Sequence, residues 1–356
     1  MVVSICIVGA PGLIGKRHTQ HALDEPRVDL TCIIDPTPTG EQFAADKGLT
    51  LYKSVDEMLE ARRAGKVKVD GAILATPNGT HVPLGLQMMQ AGIHALVEKP
   101  FSTDIASGRS LVAAEKGSSA KILVGQHRRF NPCALNCKKL VDSGKLGKIL
   151  AVQGVWATLK PLSYFEAPTE WRKASGTGGP VLINLVHCLD LLRFWFGNVV
   201  RVYCEVGEST RGHAVEETGA CTLKFASGMV GTFIFSDAAA SPYNFESATG
   251  ENPLLPQTGE PTYTVLGTRG SLSFPQLQTW HYTDPSHSWT DSLVQDDPLA
   301  IDPTPPFTHQ LRHFADVCEG TAEPQCGGED ALCTIITLEA ILESMKTGKP
   351  VDVAQG

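Results

Sequence analysis

Two short segments place an acid, an amine and an imidazole where they could trade protons with a substrate. Val97-Glu98-Lys99-Pro100-Phe101 sets a carboxylate and an amine side by side after an apolar run, and its proline fixes the direction of the chain. Further on, Gly178-Gly179-Pro180 opens an apolar stretch, Val181–Phe196, that carries Asn184, His187 and Asp190. Read as one α-helix over 181–196, these three share a face, and Asp190 can orient the His187 ring. Oxidising a secondary alcohol needs a cation for the developing alkoxide, a group that takes the hydroxyl proton, and a hydride acceptor. Lys99 supplies the first. His187 supplies the second, histidine being the side chain that ordinarily titrates near neutrality.

A hydride acceptor has a place to bind. The turn Gly9-Ala10-Pro11-Gly12-Leu13-Ile14-Gly15 follows the first β-like run and opens a helical stretch. Bare backbone at such a turn admits a pyrophosphate, and the helix start offers unpaired N–H groups. Gly12 and Gly15 fit the second and third glycines of the dinucleotide fingerprint. Ala10 stands in place of the first, with Gly9 one residue early. Asp35 ends the second run twenty residues beyond Gly15, where an acid that binds an adenosine ribose belongs. Its carboxylate would repel a 2′-phosphate, and Pro36-Thr37-Pro38-Thr39-Gly40 brings no cation, so NAD is expected over NADP. Thr76, Pro77, Asn78 and His81 lie where another strand ends and join Gly9, Gly12, Leu13, Ile14, Asp35, Glu98 and Lys99 as candidate cofactor contacts.

The elements that must hold these groups change character near residue 126. Up to there, β-branched runs such as Val28–Ile34 and Lys121–Val124 alternate with amphipathic stretches such as Ile105–Glu115. That pattern predicts an α/β, doubly wound parallel sheet over 1–126. Over 127–356 long strands follow one another, Val199–Val206 and Met229–Ser236 among them, predicting an α/β domain with a largely antiparallel sheet. Apolar residues fall on both faces of the strand around Phe233 and Ile234, so a second copy of the chain is expected against the open face, in a homodimer or homotetramer. The connection 237–261 is long enough to be functional, and Tyr243 and Phe245 suggest an ordered loop. Trp156, Tyr164, Phe165 and Trp171 are candidate walls for a ring substrate, with Arg172 as a polar anchor.

Composition removes other classes. Thirty basic residues against thirty-eight acidic give −8 with no Lys/Arg-rich block, which argues against a nucleic-acid surface. No run approaches a membrane span. The ten cysteines form no Cys-x-x-Cys pair, and Cys133 and Cys137 lack partners for a zinc site, so no metal is expected. They read as buried free thiols in a reducing compartment. The N-terminus enters a strand without a basic region or cleavage site, so no signal peptide is expected and the cytoplasm is the expected location.

Taken together, the glycine turn with His18, Asp35, Ala75-Thr76-Pro77-Asn78-x-x-His81, Glu98-Lys99-Pro100, Arg129-Phe130-Asn131-Pro132, Trp171-Arg172 and Asn184…His187…Asp190 resemble the Gfo/Idh/MocA oxidoreductases. The resemblance implies a Rossmann domain, an open-faced second domain and hydride transfer between a nicotinamide and a secondary alcohol or ketone. The substrate class would be a sugar, a cyclitol or a related cyclic alcohol, dihydrodiols included. It implies that Lys99 contacts the substrate hydroxyl, that Glu98 helps hold the nicotinamide ribose, and that His187 is the acid/base, with Trp171, Arg172 and Asn184 near the substrate. Many relatives carry an Asp where this chain has Ile183, and Asn184 stands one residue on. Two alternatives share the fold: a glycoside hydrolase that uses NAD without net redox, and a nucleotide-sensing regulator.

Overall fold

The computed structural model describes residues 2–284 and 286–354. In chain order its elements begin β1 (Val3–Val8), α1 (Leu13–Asp24), β2 (Val28–Ile34), α2 (Pro38–Lys47), β3 (Leu51–Tyr52) and α3 (Val55–Arg63). There follow β4 (Gly71–Leu74), α4 (His81–Gln90), β5 (His94–Val97), α5 (Ile105–Lys116), β6 (Ile122–Val124) and α6 (Pro132–Asp142). Then come β7 (Ile149–Ala157), α7 (Val186–Phe196), β8 (Val199–Val206), β9 (Thr218–Phe225), β10 (Val230–Ser236) and α8 (Phe245–Thr249). The remainder is β11 (Tyr263–Gly267), β12 (Gly270–Phe274), β13 (Gln278–His281), β14 (Val294–Gln295), α9 (Pro306–Cys318), α10 (Gly328–Thr347) and β15 (Val351–Asp352).

Two compact units result. Among the described residues, the first takes 2–131 together with Thr304–Ile335; the second takes Pro132–Pro303 and 336–354. A division at 126 assigns α9 to the second unit; in the structure it joins the first. The reason is its apolar stripe: Leu311, Phe314 and Ala315 pack with Ile5, Ile7 and Ile33 in one core. A helix with that stripe is driven to the nearest uncovered sheet face.

The first unit holds a six-stranded parallel sheet in the order β3-β2-β1-β4-β5-β6. Every residue of β1, β4 and β6 is buried, as strands covered on both faces require. Strand order reverses between β1 and β4, and a crevice opens beyond the carboxyl ends of such neighbours.

The second unit holds nine strands in the order β14-β13-β12-β11-β7-β10-β9-β8-β15, antiparallel except where β10 lies parallel to β7. Burial alternates strictly along β9 and almost so along β10. Cys221, Leu223, Phe233 and Phe235 are covered, whereas Val230 and Ile234 on the other face are about half exposed at 49% and 48%.

The stretch expected as one α-helix over 181–196 is wound in two ways. Val181–Leu185 forms a π-turn, with Val186 N–H reaching back to Val181 O, and α7 begins only at Val186. Gly179 takes a φ of +88°, and Glu216 Oε1 accepts the Val181 N–H at 2.8 Å, anchoring the wide turn from outside. The 237–261 connection is ordered around α8. Its Phe245 is a core residue stacked 5.6 Å from Phe274, so only Tyr243 remains exposed.

Candidate active site

The first unit contains a cavity of about 1010 Å³ at the β1/β4 crevice. Gly9, Gly12, Leu13, Ile14, Asp35, Thr76, Pro77, Asn78, His81, Glu98 and Lys99 all line it. The sequence spaced these residues over ninety positions; parallel strands ending on one edge bring them together.

The unusual glycine turn has a geometric account. Gly9 sits at φ +82°, and a Cβ there would meet Ala75 O at 2.7 Å. A Cβ on Gly15 would meet Gly9 O at 2.1 Å. Ala10 points its methyl group into the core, fully buried, so a glycine is not needed there. Gly12 caps α1 without a side-chain hydrogen bond, which leaves the first N–H groups of the helix available to an anion. These features fit a dinucleotide pyrophosphate.

Asp35 Oδ1 accepts the Thr37 N–H at 2.9 Å and the Thr37 hydroxyl, so the carboxylate is held at the start of α2. A cation does reach this end of the cavity, from a segment the sequence reading left out. Lys53, just after β3, lines the same wall and pairs with Glu41.

Glu98 and His18 are both buried, with Nε2 2.7 Å from Oε1. Burial pushes the Glu98 carboxyl up, but the His18 hydrogen bond and the charges of His18, His127 and Lys99 outweigh it and hold the group low. Its other oxygen accepts the Lys99 N–H at 3.2 Å, which ties the carboxylate to the turn that carries the amine. Burial holds the Lys99 ammonium below the ordinary lysine range, with Glu98 opposing and Arg128 assisting. His81 faces Pro100 O at 2.8 Å and Thr76 O at 2.9 Å, joining the β4 and β5 loops.

The second unit carries the other candidates. His187 is buried on the first turn of α7, and Asn184 lies in the preceding π-turn, half-buried. Trp171 is 48% exposed, and the Arg172 guanidinium lies 3.8 Å over the Tyr164 ring. Trp156 and Phe165 are buried. Trp156 donates its indole N–H to Glu246 at 2.9 Å, so its face, not its edge, is the part left for neighbours.

One residue here was not legible in advance. Lys160 donates from Nζ to Asn184 Oδ1 at 2.7 Å and lies 4.5 Å from the Tyr164 ring centroid and 5.1 Å from that of Trp156. Its nearest carboxylate is Asp237, at 3.9 Å. Burial brings its ammonium down to about 8; Arg172 and Arg211 add to the fall, while Asp237 and Glu246 oppose it. The only signal available was a lysine directly after a strand rich in large residues.

A doubly wound sheet with an open, uncapped strand–turn–helix edge defines a dinucleotide-binding protein of the Rossmann class. The chain matches the family model for the oxidoreductase NAD-binding Rossmann fold over residues 3–126 and that for the oxidoreductase C-terminal alpha/beta domain over 138–353. It belongs to the Gfo/Idh/MocA oxidoreductase family. It is similar to the scyllo-inositol 2-dehydrogenase (NAD(+)) of Bacillus subtilis, 24% identical over 98% of this chain and 96% of that one. It is also similar to the inositol 2-dehydrogenase of Rhizobium meliloti, 22% identical over 99% and 100% of the two chains. Among solved structures, the WlbA dehydrogenase of Bordetella pertussis, in complex with NADH and UDP-GlcNAcA, superposes with a TM-score of 0.76 at 23% identity, covering 100% of both chains. Among the described residues no helix is long and apolar enough to cross a membrane.

Proposed function

We propose that the protein is an NAD-dependent dehydrogenase or reductase acting on a secondary alcohol or ketone of a sugar, cyclitol or related cyclic alcohol. The observation that carries this reading is the Lys99 ammonium, held low by burial and lining the same cavity as the uncapped helix start and Asp35. NAD, when bound, supplies the hydride acceptor. Lys99 stabilises the alkoxide as the hydroxyl proton leaves, and His187 takes that proton; in reduction both run in reverse. Glu98, fixed by His18, orients the Lys99 backbone and is available to a ribose hydroxyl. Asp35 favours the unphosphorylated ribose of NAD.

The half-exposed Val230 and Ile234 support a homodimer or homotetramer joined through the open sheet face of the second unit. Ten cysteines without a disulfide suit a reducing compartment and support a cytoplasmic location. The test is a panel of sugars, inositols and cyclic diols with NAD and NADP in parallel, read by absorbance of the reduced cofactor. Turnover of an alcohol with stoichiometric NADH supports the reading. Substrate loss without net NADH, or cofactor binding without any turnover across the panel, overturns it.

A further inference from the structure

We propose that Lys160 is a specificity-determining residue that adapts the second unit to a substrate bearing a carboxylate beside its ring hydroxyls. This rests on the dehydrogenase reading and names its substrate class.

The argument is a hydrogen-bond inventory. An ammonium has donors and no acceptor, so the Asn184 atom that meets Lys160 at 2.7 Å is the carbonyl oxygen. The amide NH₂ of Asn184 is thereby turned away as a donor, and it makes no hydrogen bond among the described residues. A carboxylate at this place would present acceptors; the Lys160–Asn184 couple presents donors. Arg172 adds to the same sign. It shares the Tyr164 ring with Lys160, pairs with no carboxylate among the described residues, and has a buried Nε without a partner.

Most acceptors nearby are already engaged. Asp237 receives Arg211 through both a carboxylate oxygen and its main-chain carbonyl. Glu217 accepts from the Ser209 hydroxyl at 2.6 Å and from the Thr210 and Arg211 N–H groups at 2.8 and 3.0 Å. Glu246 holds the Trp156 indole. Unengaged donors therefore outnumber unengaged acceptors, of which Asp237 Oδ2, 3.9 Å from the Lys160 amine, is one. A carboxylate answers that imbalance with charge-assisted hydrogen bonds.

Lys160 is also fixed in place. Its N–H donates to Asp237 O at 2.9 Å, and Leu159 bridges to Ala238 on the neighbouring segment. A side chain anchored at both ends can discriminate between ligands without reordering.

The experiment uses NAD-loaded protein and calorimetric titration with D-glucuronate, D-gluconate, D-glucose and myo-inositol at pH 8, in two buffers of different ionisation enthalpy. At least one acid is expected to bind about tenfold or more tightly than the neutral compounds, and Lys160→Met to remove about tenfold of that preference. Lys160→Arg should keep part of it. Binding should also draw in roughly half a proton, because a carboxylate stabilises the ammonium of a group that is half-protonated near pH 8 amid Asp237, Glu246, Arg172, Arg211 and Tyr164. That uptake should vanish in Lys160→Met, with NAD affinity and Tm unchanged. Equal binding of acid and neutral compounds, binding of neither, or a preference that survives Lys160→Met overturns the proposal. Lys160-dependent acid binding with no alcohol turned over would overturn the dehydrogenase reading and leave the subsite standing.

Discussion

Nε2 of His18, on α1, lies 2.7 Å from Oε1 of Glu98, just after β5, and both side chains are buried. The pair links the helix whose start faces the cavity to the turn that carries Lys99. A carboxylate in this setting depends on its partner, since burial alone would push it towards the neutral form.

Removing that partner should be costly. His18→Ala is expected to lower stability by about 3 kcal/mol at pH 7, the scale for a buried charged group left without its partner. The Glu98 carboxyl is held low in the folded state, so its contribution is present above the ordinary carboxylate pKa and lost as pH falls through the folded value. The gap between wild type and His18→Ala should therefore be widest near neutral pH and narrow on acidification. Urea titrations from pH 7 down to about pH 3 measure it; a constant gap would show that His18 does not hold the Glu98 carboxylate.

Cofactor choice turns on Asp35. NAD should bind more tightly than NADP, and Asp35→Ser should strengthen NADP binding by about tenfold, or ~1.4 kcal/mol. The gain has a named source in Lys53, a cation that lines the same cavity and pairs with Glu41. Fluorescence titration of both cofactors reads the change. An unchanged ratio would mean that Asp35 faces away from the ribose.

Lys99→Ala should cut turnover by about 10²–10⁴-fold and leave the NAD dissociation constant nearly unchanged. Burial lowers the Lys99 pKa, so its cation is lost below the ordinary lysine range, and alcohol oxidation, which needs that cation, should fall at high pH earlier than an ordinary lysine would allow. His187→Ala should bring a loss of similar size. Stopped-flow hydride transfer across pH separates the two. Normal turnover in either variant removes that residue from the chemistry.

Glu216 holds the wide turn that presents Asn184. Burial raises its carboxyl, with the Val181 N–H opposing. What the turn takes from Glu216 is an acceptor oxygen for the Val181 N–H. Glu216→Gln should be near neutral for stability and kcat/KM, whereas Glu216→Ala should lose about 1–2 kcal/mol and raise KM with NAD binding intact. Equal effects from both would show that the carboxylate charge, not the acceptor, holds the turn.

Ile234→Lys on the open sheet face should leave the second unit folded, since Phe233 and Phe235 carry its core. Light scattering should show a larger particle for the wild type at micromolar concentration and a smaller one for the variant. A wild-type monomer would dispose of the assembly.

Legibility in the sequence followed sequence distance. The β1–turn–α1 edge and the Glu98-Lys99 turn were readable because strand, turn and polar group are neighbours in the chain. The α2–β3–α3 segment is not legible in the sequence because β3 is two residues long, too short to show a period. Ser54 and Glu57 at the start of α3 were the available sign, a capping pair whose serine accepts the Glu57 N–H. The π-turn left no mark, because the apolar spacing of 181–196 suits an ordinary helix almost as well. Lys160 could not be placed because its partners, Asn184 and Asp237, lie in other elements and only the folded sheet brings them to it.

The docking of α9 sets an order of events during synthesis. Leu311 follows Asn131 by 180 residues, yet it closes the same core as Ile5 and Ile33. At roughly 5–20 residues per second, a ribosome needs about 9–36 seconds to cover that gap. For that interval the nascent parallel sheet has emerged without one of its covering helices. Its first strands must wait with an apolar face bare, open to a chaperone or to a neighbouring chain on the same message, until Leu311, Phe314 and Ala315 have been made.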